Sequence, residues 1–327
     1  MLARLQRPSP AVVGGLAAAV TVLIWTSFIV IARATAHQHL TPFDIAFMRF
    51  VGAGAVMLPW GWWLVRRRRA SGQPGAHWLG LSPLGGRLTA TVGLVGGVLY
   101  ACIAYSGFFY APASHASVLM PGSLPLWTTL LATWVLRDRI TRHRALGLGL
   151  IVAGGVLVGG ASLLRAFDGG DVWKGDLLFL LAGFTWANYS ILARRHALPA
   201  VEATVAISVF AALTFVPVYA GLAALGAIDS GLGRAPWTEW LFQAAFQGGG
   251  SVVISGITFT QMVRHFGPVR STMITALVPG LSALGAVLFL DEPLHSHLVA
   301  GLALVTLGIV FGVRAAAPAA LTPTPAR

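Results

Sequence analysis

The chain has 327 residues, of which 56% are hydrophobic and only 10% charged, with a mean hydropathy of +0.78; soluble domains carry roughly 25% charged residues, so a soluble globular fold is excluded. The net charge of +12 fits basic residues gathered at the cytoplasmic face of a membrane, which removes nucleic acid as an expected partner. The single cysteine, Cys102, lies in an apolar run, leaving neither an intramolecular disulfide nor a cysteine metal cluster available.

A spanning helix needs about 20 mostly apolar residues, and ten segments of the sequence meet that rule. The first, 11–32, follows Arg4 and Arg7 and precedes Ala34-Thr35-Ala36, but it outruns the roughly 7–15 apolar residues of a signal peptide and is read as helix one. It carries Trp25. The second, 43–65, holds Arg49 about six residues inside its start and ends at Trp60, Trp62 and Trp63 beside Arg66 to Arg69, an expected interface anchor. The third, 88–109, combines Gly93, Gly96 and Gly97 with Tyr100 and Tyr105. The fourth, 113–136, has His115 near its outer end and Pro125 inside it. The fifth is 145–164, with a Gly155-to-Gly159 spacing that allows close helix approach. After the boundary 166–175 come 175–193 with Trp186, Asn188 and Tyr189, then 203–225, and then 240–263. At 100 degrees per residue, Gln243, Gln247, Ser251, Ser255, Thr258 and Gln261 of that eighth segment share one face. The ninth, 269–290, contains Pro279, and the tenth, 298–313, repeats the small-residue spacing at Gly308 and Gly312.

With the N-terminus inside, the cytoplasmic segments hold 17 of the 22 Lys and Arg residues and the outer loops hold four, the one left being Arg49. Both termini are therefore expected in the cytoplasm. The two halves repeat: Pro125 through Asp138 and Gly147 to Gly154 fall on Pro279 through Glu292 and Gly301 to Gly308 at a constant offset of 154 residues. Five helices per unit is an odd number, so the second unit enters the membrane in the opposite sense. The expected fold is an all-α polytopic membrane protein of ten transmembrane helices in two inverted five-helix repeats, N-in and C-in. Its parts are a first repeat at 1–165, an outer linker at 166–174, a second repeat at 175–314 and a flexible cytoplasmic tail at 315–327.

The residues that carry this repeat resemble the EamA-like transporters of the drug/metabolite transporter superfamily. They are Trp25, the Arg49-Phe50 pair, ASVLMPGSLPLWTTLLATWVLRDRITRHRALGLGLIVAGGVL in the first half, and GDLLFLLAGFTWANYSILARR with STMITALVPGLSALGAVLFLDEPLHSHLVAGLALVTLGIV in the second. One departure is Arg137-Asp138, where the family more often has Gly-Glu. The resemblance implies a multi-pass permease of the bacterial inner membrane that exports amino acids and related small metabolites.

A transport site needs polar groups at membrane depth that face a cavity, on helices that rearrange. The candidates are Arg49, Trp25, Tyr100, Trp186, Gln247, Ser251 and Ser255, with Pro125 and Pro279 as hinges inside helices four and nine. Two readings of Arg49 stay open: a snorkelling or capping side chain, or the anchor of a substrate carboxylate. Trp25 and Trp186 either fill the bundle or stack on the substrate. All ten acidic residues fall in loops or near helix ends, which disfavours a carboxylate proton relay, and His115 is the nearest titratable alternative. The expected partners are a small, zwitterionic, carboxylate-bearing substrate and the lipid bilayer, with no nucleic acid and no cofactor or metal; an oligomer is not indicated. The alternatives are a multidrug, amine or nucleoside exporter, a membrane-embedded enzyme or a structural membrane subunit. Against the enzyme, Val253-Ile254-Ser255-Gly256 lacks the first glycine of an intramembrane serine protease, and neither a Walker loop nor His-Glu-x-x-His occurs.

Overall fold

The computed structural model describes residues 10–35, 38–72, 75–165, 170–275, 277–291, 293 and 295–314. Arg4, Arg7, Ala36, Asp168, Gly169 and Glu292, with linker residues 166–169 and the tail 315–327, lie outside the described residues. The regular structure of the rest is helical: α1 (Pro10–Thr35), α2 (Pro42–Ala70), α3 (Gly86–Gly93), α4 (Leu99–Tyr110), α5 (Ala113–Leu119), α6 (Leu124–Leu131), α7 (Arg142–Arg165), α8 (Val172–Arg195), α9 (Ala200–Ala224), α10 (Trp237–Gln243), α11 (Ser255–Phe266), α12 (Pro268–Ile274), α13 (Leu277–Leu290) and α14 (Ser296–Arg314). All ten apolar segments of the sequence lie on these helical stretches. Seven stretches are long and apolar enough to cross a membrane by length and composition: Val12–Thr35, Pro42–Ala70, Gly86–Tyr110, Ala113–Leu136, Val172–Arg195, Ala200–Ala224 and Pro268–Leu290.

Among the described residues three helical runs include wider π turns: one, Ala132–Leu136, continues α6, and the other two join α3 to α4 at Leu94–Val98 and α10 to α11 at Ala244–Ile254. The sequences of these two joins, LVGGV and AAFQGGGSVVI, are rich in glycine, which leaves a partner backbone room to enter. A Cβ on Gly248 would lie 2.6 Å from the Ala53 nitrogen, and one on Gly52 only 2.0 Å from the Ala244 oxygen. Backbone therefore meets backbone where α2 crosses the longer π segment.

The prolines expected as hinges do not interrupt continuous helices. α5 ends at Leu119, the chain turns through residues 120–123, and Pro125 occupies the first turn of α6, where a missing N–H costs no helical hydrogen bond. Pro279 is likewise the third residue of α13, after α12 has ended at Ile274. Each break thus precedes its proline. The first is made by Pro121-Gly122, since a Cβ on Gly122 would clash with the Val118 oxygen at 2.1 Å. The repeat also shows in the backbone: Arg137 and Asp291, 154 residues apart, both end their helices with positive φ, 59° and 52°. Glycine adopts that conformation at no steric cost, so both positions carry a side chain where the backbone favours none.

α7 and α14 pack through Gly147, Gly154, Gly301 and Gly308, the last of which belongs to the Gly308-to-Gly312 spacing of the sequence. A Cβ on Gly154 would lie 2.5 Å from the Gly301 oxygen, and one on Gly308 2.5 Å from the Gly147 oxygen, so the two helices cross antiparallel. Gly154→Val is expected to melt well below wild type in a detergent thermal-shift assay, since a side chain there must push apart two backbones, at roughly 1–3 kcal/mol or more. Gly149→Ala, whose Cβ meets nothing within 4 Å, is the matched control. Equal melting of the two variants would refute the crossing.

At the opposite end of α2 from Arg49, the guanidiniums of Arg66 and Arg67 sit 5.1 and 5.2 Å from the Trp62 and Trp63 rings. Arg68 pairs with Glu202 and donates to the Pro83 oxygen at 3.0 Å. These rings and cations pack together in the segment where the sequence suggests an interface anchor.

Candidate functional site

The site is built on the first turns of α2. Thr41 and Asp44 form a capping box there, the Thr41 backbone N–H donating to Asp44 Oδ2 at 2.8 Å and the Asp44 N–H donating to Thr41 Oγ1 at 3.2 Å. The Asp44 carboxylate also accepts from the Thr41 hydroxyl, Tyr219 Oη, Ser230 Oγ and the Gly231 N–H, at 2.6–2.9 Å. It is fully buried and its oxygens are saturated. This network ties α2 to α9 and to the loop before α10.

Arg49 follows on the same helix and is 5% exposed. Its Nη1 donates to Ser251 Oγ at 2.9 Å, and the guanidinium lies 5.8 Å from the Phe28 ring. Its Nε has no hydrogen-bond partner, and among the described residues no carboxylate pairs with it. The side chain thus turns into the bundle rather than out to the headgroups. A charge buried this way is costly until an anion meets it.

Arg49 and Ser251 line a central cavity together with Trp25, Tyr100 and Trp186, so five of the seven sequence-derived candidates converge on one space. Its remaining wall is apolar, with Phe28, Met120 and Leu124 prominent. Water centres can occupy about 20 Å³ of it, room for one water, so a metabolite enters only if the helices part. The aromatic residues brace one another. The Trp25 ring stacks on Phe259 at 5.0 Å, and Trp186 meets Trp25 edge-on at 5.7 Å and Tyr100 at 4.8 Å.

Gln247 and Ser255 stand behind this lining rather than in it. Gln247 Oε1 accepts from the Tyr105 hydroxyl at 3.0 Å, leaving its Nε2 unpartnered. Ser255 Oγ accepts from Trp25 Nε1 at 3.3 Å and donates to the Ser251 carbonyl at 2.6 Å. The reason is the π segment: a wheel drawn at 100 degrees per residue loses phase through Ala244–Ile254. Farther along the expected stripe, Thr258 bonds Thr21 at 2.7 Å, and both amide atoms of Gln243 are buried without partners away from the cavity. His115 is also off the cavity, 2.8 Å from Asp176 in the N-terminal part of α8.

Sequence reasoning missed the wall made by the broken helix, Met120, Pro121 and Leu124, facing Gly183 and Val278. The signal was present in Pro121-Gly122. That pair has no mate in the second half, where Thr275 and Ala276 stand 154 residues on, whereas Pro125 has one in Pro279.

The family model described as the EamA-like transporter family matches residues 12–160 and again 173–314. An uncharacterized transporter of Archaeoglobus fulgidus is 30% identical over 179 residues, which is 54% of this chain and 56% of that protein. The match therefore spans little more than half the length of that relative. The uncharacterized transporter YyaM of Bacillus subtilis is 24% identical over 229 residues, 67% of this chain and 70% of that one. A chain of known crystal structure superposes with a TM-score of 0.60 at 20% identity, covering 92% of this chain and 97% of the other, a likeness of fold.

Proposed function

This chain belongs to the EamA-like transporter family, and on that premise we propose that it is a permease exporting small carboxylate-bearing metabolites, the class that includes amino acids, across the bacterial inner membrane by alternating access. The observation that carries the reading is Arg49, a buried cation with no described acid partner in a cavity that also collects Trp25, Tyr100, Trp186 and Ser251. An incoming carboxylate supplies the missing anion and accepts the paired donors of the guanidinium. Gln247 and Ser255 hold Tyr105 and Trp25 in place from behind. The aromatic rings cover the substrate's body.

The proposed architecture is ten membrane helices in two inverted repeats, 1–165 and 175–314, joined by an outer linker at 166–174. The double match of the family model supports two units. So does the glycine crossing of α7 and α14, in which each glycine meets the repeat mate of the other: Gly154 meets Gly301, the mate of Gly147, and Gly147 meets Gly308, the mate of Gly154. The π turns at Leu94–Val98 and Ala244–Ile254 and the breaks ahead of Pro125 and Pro279 fall on corresponding helices of the two halves. In this reading the breaks, rather than the prolines, are the hinges that open the closed cavity. Uptake of labelled amino acids and other small carboxylates into proteoliposomes tests the function, and rates no higher than in protein-free liposomes for every carboxylate would refute it. Thiol-accessibility mapping tests the topology: cysteines at Arg66 to Arg69 and in the tail 315–327 should label from the cytoplasm and one at Gly169 from outside, whereas a periplasmic tail overturns the arrangement.

A further inference from the structure

The cavity's hydrogen-bonding inventory is one-sided. The unmet polar atoms on its lining residues are Arg49 Nε and Trp186 Nε1, and Gln247 adds Nε2 just behind Tyr105. All three are N–H donors, on side chains 5%, 6% and 0% exposed. The side-chain oxygen acceptors of the lining are few. Ser251 Oγ already takes Arg49, and the Tyr100 hydroxyl, turned toward the Met120 sulfur at 3.8 Å, is the other. Among the described residues no Asp or Glu lines the cavity, and Asp44, the acid of α2, spends its oxygens on the network that caps the helix.

An amino acid brings two charged groups to such a site. Its carboxylate finds Arg49. Its ammonium needs three acceptors, finds no anion, and is repelled by the same guanidinium across a medium that screens poorly. The faces of Trp25 and Trp186 offer that ammonium a cation–π contact, but Trp25 is stacked on Phe259 and the two indoles already pack on one another. We infer that, among carboxylates, this site selects those with an apolar or aromatic body and no α-ammonium: small organic monoanions in preference to zwitterions. The inference rests on Arg49 as the carboxylate anchor and adds the charge class of the rest of the ligand.

Matched pairs that differ only in the amino group decide it. The full-length purified protein is titrated calorimetrically with hydrocinnamate against L-phenylalanine and with isocaproate against L-leucine, with phenethylamine as the cation of the same body. In at least one pair the deaminated acid should bind about tenfold tighter than its amino acid, the scale of one buried polar group left unpaired, and phenethylamine should bind more weakly than either. Arg49→Gln should erase the preference. An amino acid that binds as tightly as its deaminated partner in both pairs overturns the inference and leaves the carboxylate anchor standing. Binding of phenethylamine with none of the carboxylates overturns both, as does the failure of all four carboxylates to bind.

Discussion

Arg49→Gln is expected to lower carboxylate transport in proteoliposomes by roughly a hundredfold, the scale of a charge-assisted bidentate interaction of about 3 kcal/mol, while the protein melts at or above the wild-type temperature. The direction of the second effect is the more diagnostic. Arg49 lies seven residues into α2, about 10 Å below its start, and holds a buried charge among neutral groups, the Ser251 hydroxyl and the Phe28 ring among them. Removing such a charge relieves a desolvation cost rather than breaking a pair. Arg49→Lys keeps the charge but has neither the planar fork nor the reach, so it should lose most of the transport as well. A structural arginine behaves differently: both variants would fold poorly, and transport per folded molecule would survive.

Asp44→Ala should give the opposite pattern, a fall of several degrees in melting temperature with no selective loss of carboxylate binding among the molecules that remain folded. The carboxylate accepts two hydrogen bonds from Thr41 and one each from Tyr219, Ser230 and Gly231, so truncation strands donors from three separate parts of the chain in a buried place. Hydrogen bonds to charged groups contribute about 1.5–3 kcal/mol each, and a loss near 3 kcal/mol or more is expected after relaxation and water entry. The group shares no bond with Arg49, which is why the two substitutions separate stability from transport. Wild-type melting of Asp44→Ala would show that the network does not hold the loop before α10 to the bundle.

Local sequence carried a large part of the fold because a membrane interior imposes a coarse rule, about 20 apolar residues per crossing, that can be counted along the chain. The apolar segment 113–136 coincides with the stretch Ala113–Leu136, and six other segments match, to within a few residues at each end, stretches long and apolar enough to cross a membrane. Polar residues at depth stand out against such a background, so Arg49, Trp25, Tyr100, Trp186 and Ser251 were visible as candidates before any of them was seen to share a cavity.

What the sequence by itself determined was therefore the apolar segments, the 154-residue repeat and five of the side chains that line one cavity. The tertiary structure decided how they face one another. Whether Arg49 snorkels or turns inward depends on Ser251, a residue 202 positions away that no local pattern couples to it. Whether Gln247 and Ser255 line the cavity or stand behind it depends on a π segment whose altered turn breaks the 100-degree periodicity from which a helical face is read. Length and hydrophobicity are sums over neighbours in the chain, whereas a helix's rotation and the partner of a buried charge are fixed by packing between segments far apart in it.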